Sequence, residues 1–267
     1  VSSGARRGEP SWILRPRPRP DARLRLFCFP YAGSGASVFR GWQQALPPEI
    51  ECCAVQPPGR EGRLAEAPRR RLPELVEAAE AGLLPHLDRP FAFFGHSLGA
   101  LVCFELARRL RRRRAPQPLH LLVSACRAPQ RPDPHPALHG LPDARFVEEV
   151  RRRYDAIPSE VAGHAELLEL LLPTLKADFE AFETYSHSGE PPLDCPISCF
   201  GGSEDRFATR EELADWREQT ESFFRMKLFA GGHFYLQAFE SELLAELTAD
   251  LAADLSGSPS RTSAAAP

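Results

Sequence analysis

Along the chain, short runs that are apolar at successive positions alternate with longer stretches in which apolar residues return every three or four places. The first kind reads as strands buried on both faces and the second as amphipathic helices. The strands predicted in this way cover 24–29, 51–55, 91–94, 119–124, 197–201 and 225–229, and the helices between them 72–87, 98–113, 211–220 and 241–255. Strands alternating with helices in this order predict an α/β fold with a mostly parallel sheet and helices on both faces. About seventy residues separate the strand ending near Ser124 from the one starting near Ile197, more than a crossover needs. The segment at about 128–190 is therefore expected to be a helical insertion, with helices over 146–154 and 165–185. In the second of these, Leu167, Leu168, Leu170, Leu171, Leu172 and Leu175 make one side heavily apolar. Two readings of that side stand open: it packs on the body, or it also roofs an apolar substrate chamber.

A chain of 267 residues can bury one sizeable core, and one domain over 23–255 is expected. The segment 1–22, where arginines alternate with prolines, and the low-complexity end 256–267 are expected to be disordered tails. A formal net charge of -3 argues against nucleic acid as a partner. No apolar run approaches the roughly 20 residues that span a bilayer, and the amino-terminal residues lack the apolar core of a secretory signal. The expectation is a cytoplasmic monomer without membrane contact. Seven cysteines without short paired spacings read as buried free thiols. His135 and His139 stand four apart, but Pro134 and Pro136 break the helix that would gather them, so no metal site is expected. Arg108, Arg109 and the arginines at 111–114 read as a solvated basic helix end, with docking of an acidic partner as the alternative.

The chemistry concentrates at three strand ends. Phe91-Ala92-Phe93-Phe94-Gly95-His96-Ser97-Leu98-Gly99-Ala100 runs an apolar strand through G-x-S-x-G into an apolar helix. That context puts a serine hydroxyl on a sharp turn above the sheet edge, and the flanking glycines permit the close backbone approach the turn imposes. A serine hydroxyl needs a base within reach and donors for the oxyanion that its attack creates. His233, in Gly231-Gly232-His233-Phe234-Tyr235 after the last predicted strand, is the candidate base. Asp205, reached from the preceding strand through Gly201-Gly202-Ser203-Glu204, is the candidate acid, in the order serine, acid, histidine that α/β hydrolases use. Asp133, after an earlier strand, is its rival, and Glu204 is its neighbour. The backbone N–H of Leu98 and one from Phe29-Pro30-Tyr31-Ala32-Gly33-Ser34-Gly35, Ala32 before Tyr31, are the expected oxyanion donors.

With these residues in place, the chain resembles the type II thioesterases that accompany polyketide synthases and nonribosomal peptide synthetases, and more distantly the medium-chain thioesterase of animal fatty acid synthesis. The resemblance covers nearly the whole stretch from Leu24 to Leu255. It is carried by FCFPYAGSGASVF, QPPGREGR, FAFFGHSLGA, LLLPTLKADFEAFETY, and GGSEDRFATREELADWREQTESFF leading to FAGGHFYL. PYAGSG stands where many relatives read PYAGGS, and QPPGR where QLPGR is usual; neither change touches a proposed catalytic side chain. The resemblance implies an α/β-hydrolase fold with a helical lid at the insertion, and Ser97, Asp205 and His233 as triad. It also implies hydrolysis of acyl groups from the phosphopantetheine arm of acyl or peptidyl carrier proteins, without metal or redox cofactor. A carboxylesterase or lipase, an acyltransferase, and an inactive binding module on the same fold are the rival readings.

Overall fold

The computed structural model describes residues 11–154 and 164–257. Strands β1 (Ile13–Leu14), β2 (Leu24–Phe29), β3 (Ile50–Val55), β4 (Phe91–His96), β5 (Leu121–Ser124), β6 (Ile197–Gly202) and β7 (Phe224–Phe229) form one sheet in the order β1-β3-β2-β4-β5-β6-β7. Every neighbouring pair is parallel except β1 with β3. The helices are α1 (Trp42–Ala45), α2 (Leu72–Leu83), α3 (Leu98–Arg112), α4 (Asp143–Tyr154), α5 (Ala165–Glu183), α6 (Arg210–Ala214), α7 (Tyr235–Ala238) and α8 (Glu240–Leu255). Side chains that alternate along each strand divide between two cores. Phe27, Phe29, Phe93, Leu121 and Val123 pack under α2 and α3. Leu26, Cys28, Phe94, Leu122 and Phe200 pack under α1 and α8 on the other face. Burial on both faces explains why these strands carry no polar alternation in the sequence.

Helices α4 and α5 lie in the predicted insertion between β5 and β6, and residues 155–163 of that insertion fall outside the described residues. Phe146 and Val150 of α4 pack with Leu172 and Phe179 of α5 in a small third core. Pro173 sits inside α5. Before it Leu167 and Leu170 are exposed, at 38% and 49%, whereas after it Ala177, Asp178 and Ala181 are buried. Two predicted helices end early. Pro85 stops α2 at Leu83 and leaves a 3₁₀ turn over Leu84–His86, and a second 3₁₀ turn, Asp215–Gln219, follows the short α6. No helix among the described residues is long and apolar enough to cross a membrane.

The structure corrects the reading of one arginine-rich segment and adds partners to another. Within the expected disordered tail 1–22, the described residues from 11 onward are tied to the body, and 1–10 lie outside the described residues. Ile13 and Leu14 pair with Val55 and Ala54 and so cover the open edge of β3. The Trp12 indole lies against Gly82, and the Arg63 guanidinium stands 4.4 Å over its ring. Arg19 donates to the carbonyls of Gln43 (2.7 Å), Leu46 (3.0 Å), Ile50 (3.0 Å) and Pro47. A proline-rich strap cannot fold alone, but it orders when a strand edge and a cluster of converging carbonyls receive it. At the other end, α8 runs to Leu255, and 258–267 lie outside the described residues.

Of the arginines that end α3, five make ion pairs within the fold, while Arg112, Arg113 and Arg114 stay exposed as a solvated helix end does. Arg108 is buried between Glu105 and Glu190, Arg109 and Arg113 pair with Glu80, and Arg111 and Arg112 with Glu190. They anchor the helix end to its neighbours. The seven cysteines are free and, apart from the half-buried Cys195, fully buried. Burial pushes the Cys126 and Cys195 thiols up to about 12, and those of Cys28, Cys103 and Cys199 well above the ordinary range, so they stay protonated and unreactive at neutral pH.

Arg19→Ala would leave several carbonyls without their charged donor. It is expected to lower unfolding free energy by about 2 kcal/mol, read as an earlier midpoint in urea denaturation; an unchanged midpoint would mean the strap adds no stability.

Candidate active site

β4 delivers Ser97 in a conformation that only tight surroundings sustain, with φ 53° and ψ -119°. Its N–H donates to the Ser124 carbonyl at 2.8 Å. A Cβ on Gly95 would lie 2.3 Å from the Gly99 backbone, and one on Gly99 would lie 2.3 Å from the Phe29 carbonyl oxygen. Both glycines of G-x-S-x-G are thus required by backbone contacts. The second presses the start of α3 against the loop after β2, which brings Leu98 and Ala32 to the same chamber wall as Ser97.

His233 leaves β7 through Gly231, at φ 103°, and Asp205 leaves β6 through Gly202, where a Cβ would lie 2.2 Å from the Gly232 carbonyl oxygen. The two loops are in backbone contact, and His233 Nδ1 lies 2.8 Å from Asp205 Oδ2. The other carboxylate oxygen accepts the Phe207 N–H at 2.9 Å, so the buried Asp205 is held at both oxygens. The rival Asp133 pairs instead with Arg127 at 2.8 Å and accepts the His135 N–H in its own turn. Glu204 is exposed. His139 pairs with Glu183, and the His135 ring packs on Phe207, so the two are engaged separately.

Behind the base, His96 Nδ1 lies 2.9 Å from Ser124 Oγ, which lies 2.7 Å from the Tyr235 hydroxyl. Burial pushes the His96 imidazole well below its usual range, with the nearby His233 as a second cause. A neutral ring therefore packs beside His233, at 5.3 Å between centroids. Tyr154, from the end of α4, meets His233 from the lid side at 5.3 Å and also touches Phe207 and Phe179.

Ser97 and His233 open into one chamber of about 810 Å³. Its far walls are Leu171, Leu175, Phe179 and Phe182 of α5 with Val150 and Tyr154 of α4. The apolar side of α5 therefore both packs and roofs, with Leu171 and Leu175 in the chamber and Leu168 and Leu172 in the lid's own core. In the loop after β2, the N–H of Gly33 is taken by Asp178 at 2.7 Å and that of Ser34 by the Tyr31 carbonyl at 3.1 Å. Ala32 and Tyr31 remain as the candidate donors opposite Leu98. Sequence reasoning did not single out Tyr154, Phe207, Arg60 or Asp178. The last two sit inside QPPGREGR and LLLPTLKADFEAFETY, motifs quoted as resemblance without a role for any one residue.

Comparison with known proteins places this arrangement in a family. The thioesterase domain family matches residues 24–251. Gramicidin S biosynthesis protein GrsT of Aneurinibacillus migulanus is 42% identical over 233 residues, covering 87% of this chain and 91% of that one. Among solved structures, RedJ, a thioesterase from the prodiginine biosynthetic pathway of Streptomyces coelicolor, superposes with a TM-score of 0.81 at 39% identity, covering 94% of this chain and 96% of that chain. BorB, a type II thioesterase from the borrelidin biosynthetic cluster, gives 0.79 at 36%, covering 91% and 97%.

Asp205→Asn preserves size but removes the charge beside His233. Hydrolysis of a thioester is expected to fall by about 10⁴-fold, as it does when a triad aspartate is neutralised, whereas Asp133→Asn should stay within a few-fold of wild type in the same steady-state assay. The reverse order would reassign the acid.

Proposed function

The chain belongs to the thioesterase family, and on that premise we propose that it is an editing enzyme that clears acyl groups from the phosphopantetheine arm of acyl or peptidyl carrier proteins. It is a hydrolase of thioesters. The observation that carries the proposal is the strained Ser97 sharing one apolar, lid-roofed chamber with a His233 already oriented by Asp205.

In the proposed reaction His233 Nε2 takes the Ser97 proton as Oγ attacks the thioester carbonyl. The N–H groups of Ala32 and Leu98 hold the oxyanion, and Asp205 stabilises the imidazolium through Nδ1. Collapse breaks the C–S bond as the His233 imidazolium returns its proton to the departing sulfur; a thiol of pKa about 8.5 needs less of that donation than an amine or an alkoxide. Water, giving a proton to His233, attacks the acyl-enzyme carbonyl; the second collapse breaks the bond to Ser97 Oγ, which takes that proton back from His233, and the carboxylic acid leaves. Protein groups and water supply every step, so this reading calls for no metal or redox cofactor. The apolar walls suit the acyl chain, and the proposed setting is the cytoplasm.

An acyl-loaded carrier protein, incubated with wild type or Ser97→Ala and followed by intact mass beside a matched free ester, tests the proposal. Loss of the acyl mass only with wild type, and faster than cleavage of the ester, is the expected result. Cleavage of the ester alone would favour an esterase, and inertness toward both would favour a binding module.

A further inference from the structure

We propose that Asp178 of the lid helix α5, clamped by Arg60, is a positioning residue that sets the oxyanion-binding loop; this rests on the reading of Ser97 as nucleophile given above. Asp178 is 1% exposed and accepts three hydrogen bonds: from Gly33 N–H at 2.7 Å, Arg60 Nη1 at 2.6 Å and Arg60 Nη2 at 2.9 Å. Arg60 Nη1 also donates to the Ser34 carbonyl at 3.0 Å, so one guanidinium holds both the carboxylate and the loop. Gln56 continues the frame, accepting the Ala36 N–H at 2.9 Å and donating to the Arg60 carbonyl at 3.0 Å. One helical turn before Asp178, the Thr174 hydroxyl donates to the Gly59 carbonyl at 2.5 Å.

The consequence falls on Ala32. Gly33 has φ +77°, and a Cβ there would lie 2.6 Å from Leu175 Cδ1, so α5 rests directly on the loop. The Gly33 N–H is held by Asp178 and the Tyr31 carbonyl by the Ser34 N–H and hydroxyl, so the two peptide units that meet at Ala32 are each pinned at one end, which sets the direction of the Ala32 N–H on the chamber wall it shares with Leu98. Asp178 and Arg60 do not line that chamber, so their influence on the reaction passes through the loop. A buried ion pair contributes little net stability compared with apolar residues of similar volume. An oxyanion donor, by contrast, is worth about 10²- to 10³-fold in rate and depends on its aim. Positioning therefore accounts for the charged cluster better than stability does.

The test uses a soluble acyl thioester, which forms the same oxyanion as a carrier-bound one, and an acyl trifluoromethyl ketone, which traps that oxyanion as a hemiketal on Ser97. Asp178→Ala, shown to be folded by its melting curve, is expected to lose about 100-fold in kcat with KM within threefold, and to lose affinity for the ketone in parallel. Asp178→Asn, whose amide oxygen can still accept from Gly33, should recover about tenfold of that loss. Asp250→Asn, which disrupts the distant Arg225–Asp250 pair, controls for general destabilisation. A kcat for Asp178→Ala within threefold of wild type, a loss carried by KM, or an equal loss in Asp250→Asn would overturn the proposal. If wild-type turnover survives Ser97→Ala, the function itself is misread; if only the carrier protein fails as substrate, the positioning result stands.

Discussion

The close backbone approach around Ser97 is the constraint on which the rest of the site depends. A non-glycine residue at φ 53° and ψ -119° is unfavourable by roughly 1–3 kcal/mol, so its surroundings must over-determine it. They do so by contact: Gly95 lies against Gly99, Gly99 against the Phe29 carbonyl, and the Ser97 N–H on the Ser124 carbonyl. These contacts also gather the carboxyl ends of β2, β4 and β5 around one point. Ser97, the first amides of α3 and the loop after β2 thus become neighbours through a single steric solution.

The candidate acid and base are brought together by a second contact of the same kind, with Gly202 pressed on the carbonyls of Gly231 and Gly232. Parallel strands β6 and β7 end in register there, Gly202 opposite Phe229, so the loops that leave them have to touch. Once they do, the Asp205 carboxylate reaches His233 Nδ1. The ring has neutral or aromatic neighbours: His96, Tyr154 and Phe234. Among the described residues, Asp205 is the carboxylate hydrogen-bonded to that ring. An imidazolium formed during turnover would therefore draw its stabilisation mainly from one partner.

Much of this was legible in the sequence, because buried parallel strands, their glycine-flanked ends and the serine turn leave local signatures. Ser97, Asp205 and His233 were read from strand ends, and the helices of the lid from periodicity in an overlong connection. What escaped depends on contacts distant in the chain. Asp178 looks like any polar residue on an amphipathic helix until Arg60, 118 positions away, is seen beside it. Arg19 looks like part of a solvated tail until the carbonyls of Gln43, Leu46 and Ile50 are known to converge on it. The ion pairs of the arginines ending α3 escaped for the same reason, since Glu80 and Glu190 are remote in sequence.

The lid also bears on what such a site can distinguish. The half of α5 after Pro173 belongs to the catalytic frame through Asp178, and the same half supplies Leu175, Phe179 and Phe182 to the chamber wall. Apolar walls bind by area, at about 0.8 kcal/mol per buried methylene, and without direction. They separate chains by length and bulk, and at that figure one methylene more or less is worth only about fourfold. Such walls suit many acyl groups with graded preference, whereas in the proposed reaction the charge that develops at the carbonyl falls to the amides of Ala32 and Leu98 and to the oriented His233 imidazole. Tolerance of the chain together with strictness at the carbonyl is the combination that removal of varied wrong units from a carrier arm requires.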